Sequence, residues 1–188
     1  MRFLVLFSVL VGLSVQTQAQ VKPGLSVQIY PAGQIVQARA LVHEGVRTDI
    51  RLYAGVNRAR RKDYGKKDHE EGLGAGVGID LAHLTGSKTS GVYYGGKLDV
   101  WYLNIDWEHV ENPCPPGTKC LAPAILRAGE TKIFVVQPTA TLGYRYALEN
   151  GSAALEFSVS LGAEINAYTD GDPVGEGLIL LGGLAVDF

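Results

Sequence analysis

Apolar and polar residues alternate one by one along most of the chain after Pro23. The clearest run lies between Ala154 and Ala167. Its apolar positions are Leu155, Phe157, Val159, Leu161, Ala163 and Ile165, and its polar or small positions are Glu156, Ser158, Ser160, Gly162, Glu164 and Asn166. A period of two is that of a β-strand whose faces meet different environments, whereas a helix would scatter these apolar side chains around its axis. The pattern therefore predicts a long strand here.

The same alternation predicts eight strands in all. The others cover residues 25–29, 36–43, 50–57, 73–81, 94–102, 134–146 and 180–188. The parity slips near Leu103, which indicates either a bulge or a strand that leaves the apolar layer. Pro138 cannot donate a hydrogen bond to the ladder, so we predict that it lies at a bulge.

The connections between these strands alternate in length. Short ones lie at 43–47, 85–89 and 149–152, and the last contains the hairpin-forming pair Asn150-Gly151. Pro31-Ala32-Gly33 is also short. Longer, more polar loops are predicted at 58–71, 108–130 and 169–176. Short turns at one end and long loops at the other are typical of outer-membrane barrels, whose turns face the periplasm.

A soluble β-sandwich also alternates, so further observations are needed to separate the two classes. Predicted strands six and seven have roughly 14 residues; a tilted membrane strand needs about 9–11, and soluble strands average about 5 or 6. Aromatic residues gather near strand ends, where a barrel would meet the two membrane interfaces. They are Tyr144, Tyr146, Phe157 and Phe188 at the turn end, and Trp107, Phe134 and Tyr168 at the loop end.

Charged residues of both signs share the polar parity of the strands. They are Arg39, Arg51, Lys97, Asp99, Arg145, Glu156 and Glu164. In a narrow barrel these side chains would face inward, pair with one another and leave little room for a pore. We therefore predict an all-β chain: an eight-stranded antiparallel up-and-down transmembrane β-barrel. It would form a single domain over residues 20–188 with a filled polar interior.

The N-terminal residues form a separate segment. Arg2 precedes an almost wholly apolar stretch from Phe3 to Val15, and Thr17-Gln18-Ala19 places small residues at cleavage positions. This layout predicts a secretory signal peptide over residues 1–19, with an uncleaved anchor as the alternative.

Composition narrows the chemistry. A net charge of −2 gives no sign of a nucleic-acid partner. The 24 Gly residues favour sheet over helix, because an interior Gly costs a helix about 1 kcal/mol relative to Ala.

Cys114 and Cys120 flank a Pro-Pro-Gly stretch, which in an oxidising compartment predicts a loop disulfide. A metal site is the alternative, but further Cys or His ligands at suitable spacing are missing. We predict neither a metal nor a cofactor.

The leader, the eight alternating strands, the long loops and the terminal segment Leu184-Ala185-Val186-Asp187-Phe188 together resemble the small OmpA/OmpX-type outer-membrane barrels. The resemblance is one of architecture and covers residues 24–188. It implies a place in the outer membrane of a Gram-negative bacterium, in contact with its lipid. It also implies that Phe188 belongs to a signal read by the barrel-assembly machinery.

Two residue groups suggest partners or chemistry. The only basic cluster contains Arg58, Arg60, Arg61, Lys62, Lys66 and Lys67. It is either a solvated loop of mixed charge or a contact for lipopolysaccharide phosphates. Catalysis would need Ser158 or Ser160, with Glu156 or Glu164, to meet one of four dispersed His residues. A packed polar network explains those side chains more simply.

The sequence thus favours a non-enzymatic barrel with a structural or surface-binding role, whose loop ligand is unknown. A lipid-modifying enzyme on the same scaffold is one alternative. The other is a secreted soluble β-barrel that holds a small apolar ligand, with apolar side chains inside and charges outside.

Overall fold

The described part of the chain is an antiparallel β-barrel. The computed structural model describes residues 21–45, 47–62, 66–85, 90–111, 125–148 and 153–188. Their strands are β1 Lys22–Tyr30, β2 Gly33–Glu44, β3 Thr48–Lys62, β4 His69–Leu84, β5 Ser90–Glu111, β6 Ile125–Ala147, β7 Ala154–Asp170 and β8 Gly177–Asp187. Each strand pairs with the next one along the chain, and β8 pairs with β1 to close the barrel. The predicted eight-stranded up-and-down barrel is confirmed.

Some predictions concern segments outside these residues. The signal peptide at 1–19 and the disulfide between Cys114 and Cys120 lie outside the described residues. Within the described ranges, no helix is long and apolar enough to cross a membrane.

The strands are longer than the alternation predicted. β3 continues to Lys62 and β4 begins at His69, so most of the loop predicted at 58–71 is strand. β5 and β6 have 22 and 23 residues and likewise extend into the loop predicted at 108–130. The polar residues in these extensions belong to strands that continue beyond the apolar outer surface.

The register corrects the prediction for Pro138. It pairs with Leu98 of β5, and the β6–β7 register is the same on both sides of it, so no bulge lies there. The shifts occur between Leu41 and His43 in the β2–β3 pair and between Phe134 and Val135 in the β6–β7 pair. The pairing of β5 passes through Leu103 without a shift. Of the two interpretations of the slip at Leu103, the strand leaving the apolar layer is the correct one.

The outer surface of the barrel carries a belt of exposed apolar side chains, which we call the outer apolar belt. It includes Leu25, Val27, Ile29, Val36, Leu52, Val56, Leu73, Val77, Leu98, Leu142, Leu161, Ile165, Leu180 and Leu184. Exposed aromatic side chains border it at the turn end, namely Tyr94, Tyr144, Tyr146, Phe157 and Phe188, and at the loop end, namely Tyr102, Phe134 and Tyr168. Trp107, predicted for the loop-end row, instead faces inward and is only 8% exposed.

Above the belt the inner face of the sheet becomes apolar and the outer face becomes polar. On β5, Leu103, Ile105 and Trp107 are buried inside the barrel, while Asn104, Asp106 and Glu108 are exposed outside. Within the belt the opposite holds, since Lys97 and Asp99 are buried and Leu98 is exposed. The barrel therefore has a polar interior at the level of the belt and an apolar interior above it.

Candidate functional site

A network of buried ion pairs fills the interior near the turn end. Arg39 of β2 lies 2.8 Å (Nη1 to Oε2) from Glu156 of β7, and its Nη2 contacts Asp187 of β8. Arg145 of β6 donates from Nε to Glu156 Oε1 at 2.7 Å. Arg51 Nη2 lies 3.1 Å from the same oxygen. One carboxylate thus receives three guanidinium groups from three strands.

Two further groups extend this network. Arg51 and the Tyr53 hydroxyl approach Asp80 Oδ2 at 3.4 and 3.1 Å. Arg145 Nη1 lies 2.9 Å from Asp49 Oδ2. These contacts join β3, β4 and β6, and the Arg145–Asp49 contact braces β6 against β3, which are not neighbours in the barrel.

Lys97 of β5 lies at the centre of a separate set of buried polar contacts. Its Nζ lies 3.0 Å from Asp99 and 4.3 Å from the centroid of the Tyr53 ring, and it donates to Gln37 Oε1 at 2.7 Å. Gln28 accepts a further hydrogen bond from it at 3.1 Å. Every donor position of the ammonium group therefore has a partner, as burial of a charge demands.

All seven residues predicted for the interior are buried, but they do not form one cluster. Glu164 lies apart from the other six, near the loop end, where it pairs with Arg61. The prediction omitted Asp49, Asp80 and Asp187, which balance the cations. These three share the inward parity of their strands, and that parity was the signal that could have identified them.

The network leaves little free space. A cavity lined by Ser26, Tyr53, Asp80, Tyr93 and Lys97, among others, has a volume of about 20 Å³. That is room for about one or two water molecules.

An apolar layer lies above the ion pairs. It comprises Tyr30, Ala32, Ile35, Ala59, Trp101, Leu103, Ile105, Trp107, Ile133, Val135, Val174, Ile179 and Leu181. Gly76 gives room for the Trp101 ring, because a Cβ at that position would overlap its six-membered ring. The glycines of β4 thus make space inside the barrel for facing side chains.

The connection between β7 and β8 closes the loop end from above. Val174 is fully buried within the apolar layer. The Gly175 N–H donates to both carboxylate oxygens of Glu70, at 3.0 and 2.9 Å, and the Gly175 carbonyl accepts from Arg61. The Thr131 hydroxyl donates to the Asp172 carbonyl at 2.9 Å. Residues 171–176 therefore form a cap over the interior, which we call the 171–176 cap.

The basic cluster, considered from the sequence as either a solvated loop or a lipopolysaccharide contact, divides into three parts. Arg61 faces inward and pairs with Glu164 and Glu70, so it cannot reach a lipid headgroup. Lys66 and Lys67 pair with Glu176 and Asp172 of the 171–176 cap at 2.8 and 3.0 Å. Arg58, Arg60 and Lys62 are exposed on the outer face of β3. The sequence alternation already distinguishes Arg61 from these three residues. Arg61 occupies an inward position of β3, whereas Arg58, Arg60 and Lys62 occupy outward positions.

Carboxylates beyond the outer apolar belt hold the outer end together. The backbone N–H of Val110 donates to Asp68 Oδ2 at 2.7 Å, and this hydrogen bond, with His109 nearby, lowers the pKa of Asp68. A hydrogen bond from Lys66, supported by the backbone N–H of Asn166, lowers the pKa of Glu176. Both carboxylates therefore stay ionised at neutral pH.

The described residues do not assemble a hydrolase site. The Ser160 hydroxyl lies 2.8 Å from that of Thr141, and neither Ser158 nor Ser160 contacts a described His. His83 lies beside Thr48 and Tyr94, and His109 beside Asp68. The described ranges also contain no group of three or more His, Cys, Asp or Glu that could hold a metal ion.

Comparison with known proteins finds structural likeness without sequence matches. No family model matches the chain, and no curated protein matches it. The N-terminal β-barrel domain of Pseudomonas aeruginosa OprF is similar at a TM-score of 0.46 and 12% identity, covering 92% of this chain and 100% of that chain. A major outer membrane protein from Thermus thermophilus has a TM-score of 0.40 and 15% identity, covering 90% and 100%.

A third similar structure is Ail, the attachment invasion locus protein of Yersinia pestis, in complex with the heparin analogue sucrose octasulfate. Its TM-score is 0.37 at 9% identity, covering 88% of this chain and 94% of that chain. At these identities the likeness concerns the fold alone.

Proposed function

We propose that this protein spans the outer membrane of a Gram-negative bacterium as a closed, non-enzymatic β-barrel. The observation that carries the proposal is the outer apolar belt around a charged interior. In water an apolar surface of this extent would cause association, whereas in hydrocarbon it is the stable arrangement. A closed barrel also pairs its backbone groups internally, which a bilayer requires of any spanning sheet.

The height of the belt fits a membrane. On β6 the outward run from Phe134 to Tyr146 covers twelve residue steps. At about 3.4 Å per step and a tilt of about 40–45°, this corresponds to roughly 30 Å along the barrel axis. The hydrocarbon core of a bilayer is about 30 Å thick. The β5–β6 hairpin would then project beyond the membrane on the loop side, where its outer face is polar.

A structural or surface-binding role is supported by the state of the interior. The buried charges engage one another, and the 171–176 cap packs Val174 into the apolar layer. Such an interior braces the wall, and among the described residues it leaves neither a channel nor a substrate pocket at the level of the ion pairs. The alternative of a soluble barrel with an apolar ligand cavity is not supported, because charges fill the interior at belt level.

Lipopolysaccharide is the proposed partner of the outer face of β3. Arg58, Arg60 and Lys62 lie directly above the belt residue Val56 on the same face of the strand. Guanidinium and ammonium groups at that level suit the phosphates of the headgroup.

Phe188, exposed next to Pro23 of β1, would be available to the barrel-assembly machinery at the turn end.

Membrane fractionation of cells that express the full chain tests the proposal. We expect the mature protein in the outer-membrane fraction, resistant to a urea wash, and heat-modifiable on a denaturing gel. Recovery of the folded protein in the supernatant without detergent would contradict the proposal.

A further inference from the structure

The barrel wall has a gap at its outer end, above the β1–β2 hairpin. β1 is the shortest strand, and its pairing with β8 ends at Ile29 opposite Gly182. β8 continues above that point through residues 177–181, with no described strand on its β1 side. On the other side of the hairpin, β2–β3 pairing ends at Gly33 opposite Ala59, while β3 continues to Lys62. We call this gap the lateral notch.

The lateral notch contains a pocket with mostly apolar walls. Its volume is about 200 Å³. The apolar lining comprises Pro31, Ala32, Leu178, Ile179 and Leu180, and Tyr30 and Arg61 lie towards the barrel interior. Leu178 is 87% exposed, the highest value among the large exposed hydrophobic side chains. With Leu180, it carries the apolar outer surface up to the edge of the pocket.

The polar groups around the pocket are already engaged. The Arg61 guanidinium pairs with Glu164 and Glu70, and the Tyr30 hydroxyl donates to Asn57 at 2.9 Å. Glu176, at the outer rim, pairs with Lys66. The occupant therefore contributes uncharged hydrocarbon to the pocket and keeps any charged group at the rim.

The position of the notch identifies the source of that hydrocarbon. Ile29, one residue before the end of β1, belongs to the outer apolar belt and is 64% exposed. Directly opposite it in the register, the outward residues of β2 and β3 are the polar Gln34 and Arg58. The pocket thus lies where the apolar surface meets the charged rim, which is the depth of the upper acyl chain of an outer-leaflet lipid. A pocket of this size is below the ~300–1,000 Å³ of whole-ligand sites, so it suits one chain segment.

We infer that the lateral notch binds the upper part of one acyl chain of an outer-leaflet membrane lipid. This inference rests on the proposed membrane insertion. One bound lipid would then complete the barrel wall above the point where β1 and β8 stop pairing. Leu178 and Ala32 would lie on either side of its acyl chain. Lipids elsewhere on the belt would exchange more readily, because the other depression on its surface, lined by Ile79, Leu81, Leu98, Pro138 and Ala140, is wider and more open than the lateral notch.

Native mass spectrometry of the full-length protein in detergent micelles tests the inference, with dimyristoyl phosphatidylglycerol as the probe. We expect one lipid adduct that survives collisional activation strong enough to remove the others. Leu178→Ser should weaken its apparent affinity about tenfold, since an apolar contact is lost. Ala32→Phe should fill the pocket and have the same effect.

Leu161→Ser is the matched control, because Leu161 is 60% exposed on β7 opposite Leu180 but does not line the pocket. It should leave the adduct unchanged. Heat-modifiable gel migration of every sample separates the two hypotheses: a protein that does not insert fails the proposed function. An inserted protein without the adduct, or with an adduct insensitive to Leu178→Ser, overturns the inference alone. A dimer formed through the notch in place of the lipid would also overturn it.

Discussion

The Arg61 guanidinium of β3 lies 2.6 Å (Nη2 to Oε1) from the Glu164 carboxylate of β7, across the outer end of the barrel. The same guanidinium donates to the Gly175 carbonyl and approaches Glu70. One buried cation therefore connects two walls of the barrel with the cap that closes it. This is a bracing role, in place of the two roles considered for Arg61 from the sequence, a solvated loop residue or a lipopolysaccharide contact.

The cap should loosen when Glu70 is removed. Glu70→Ala takes away both acceptors of the Gly175 N–H, a charge-assisted hydrogen bond with a net contribution of about 1.5–3 kcal/mol. We expect amide hydrogen exchange at residues 171–176 to rise about tenfold or more. Glu71→Ala, one residue along on the outer face, is the control. Equal exchange in the two variants would show that Glu70 does not hold the cap.

The turn-end network should be sensitive to loss of its central carboxylate. Glu156→Gln leaves Arg39, Arg51 and Arg145 without a shared counter-charge, and breaking a buried pair costs about 3–5 kcal/mol. Urea titration of the barrel refolded in vesicles measures this loss. Glu71→Gln removes an exposed pair with Arg58 and should cost below about 1 kcal/mol. Similar losses in both variants would contradict a braced interior.

Adjacent positions on β7 should differ in how much a substitution destabilises the barrel, because Leu161 faces outward and Ser160 faces the interior. Leu161→Arg should cost about 2–4 kcal/mol if its side chain faces the middle of the bilayer. Ser160→Ala removes one hydrogen bond with Thr141 and should cost about 1 kcal/mol. The same refolding titration measures both, and equal tolerance would contradict the assignment of inner and outer faces.

Lipopolysaccharide binding should depend on the outward basic residues of β3. The double change Arg60→Ser and Lys62→Ser should weaken binding to immobilised lipopolysaccharide about thirtyfold at low salt, at about 1 kcal/mol per cation. Lys132→Ser, exposed on the outer face of β6, is the control for general charge. An unchanged affinity in the double variant would exclude this face as the binding surface.

The alternation alone was enough to predict much of this barrel. Because adjacent side chains of a strand point to opposite faces, the inward position of Arg39, Lys97 or Glu156 follows from parity. Which charges meet does not follow from parity. Arg39 pairs with Asp187, 148 positions away, because β2 and β8 both flank the short strand β1 in the closed ring.

The outer half of the barrel was harder to predict because its pattern is reversed. Trp107 and Ile105 share the parity of Lys97, yet they line an apolar interior above the level of the belt. A prediction that places every apolar side chain on the outer face assigns inward apolar positions, such as Trp107, to a loop or to the outer aromatic row. Only the register of β5 against β4 and β6 shows that the strand continues there.

The sequence by itself therefore determined the strand number, the up-and-down order and the face on which each belt residue lies. These properties depend on local period and on connection length, which neighbouring residues encode. The tertiary structure alone decided the ion-pair partners, the 171–176 cap and the lateral notch. These depend on ring closure and on unequal strand lengths, which bring distant residues such as Arg61 and Glu164 to the same level of the barrel.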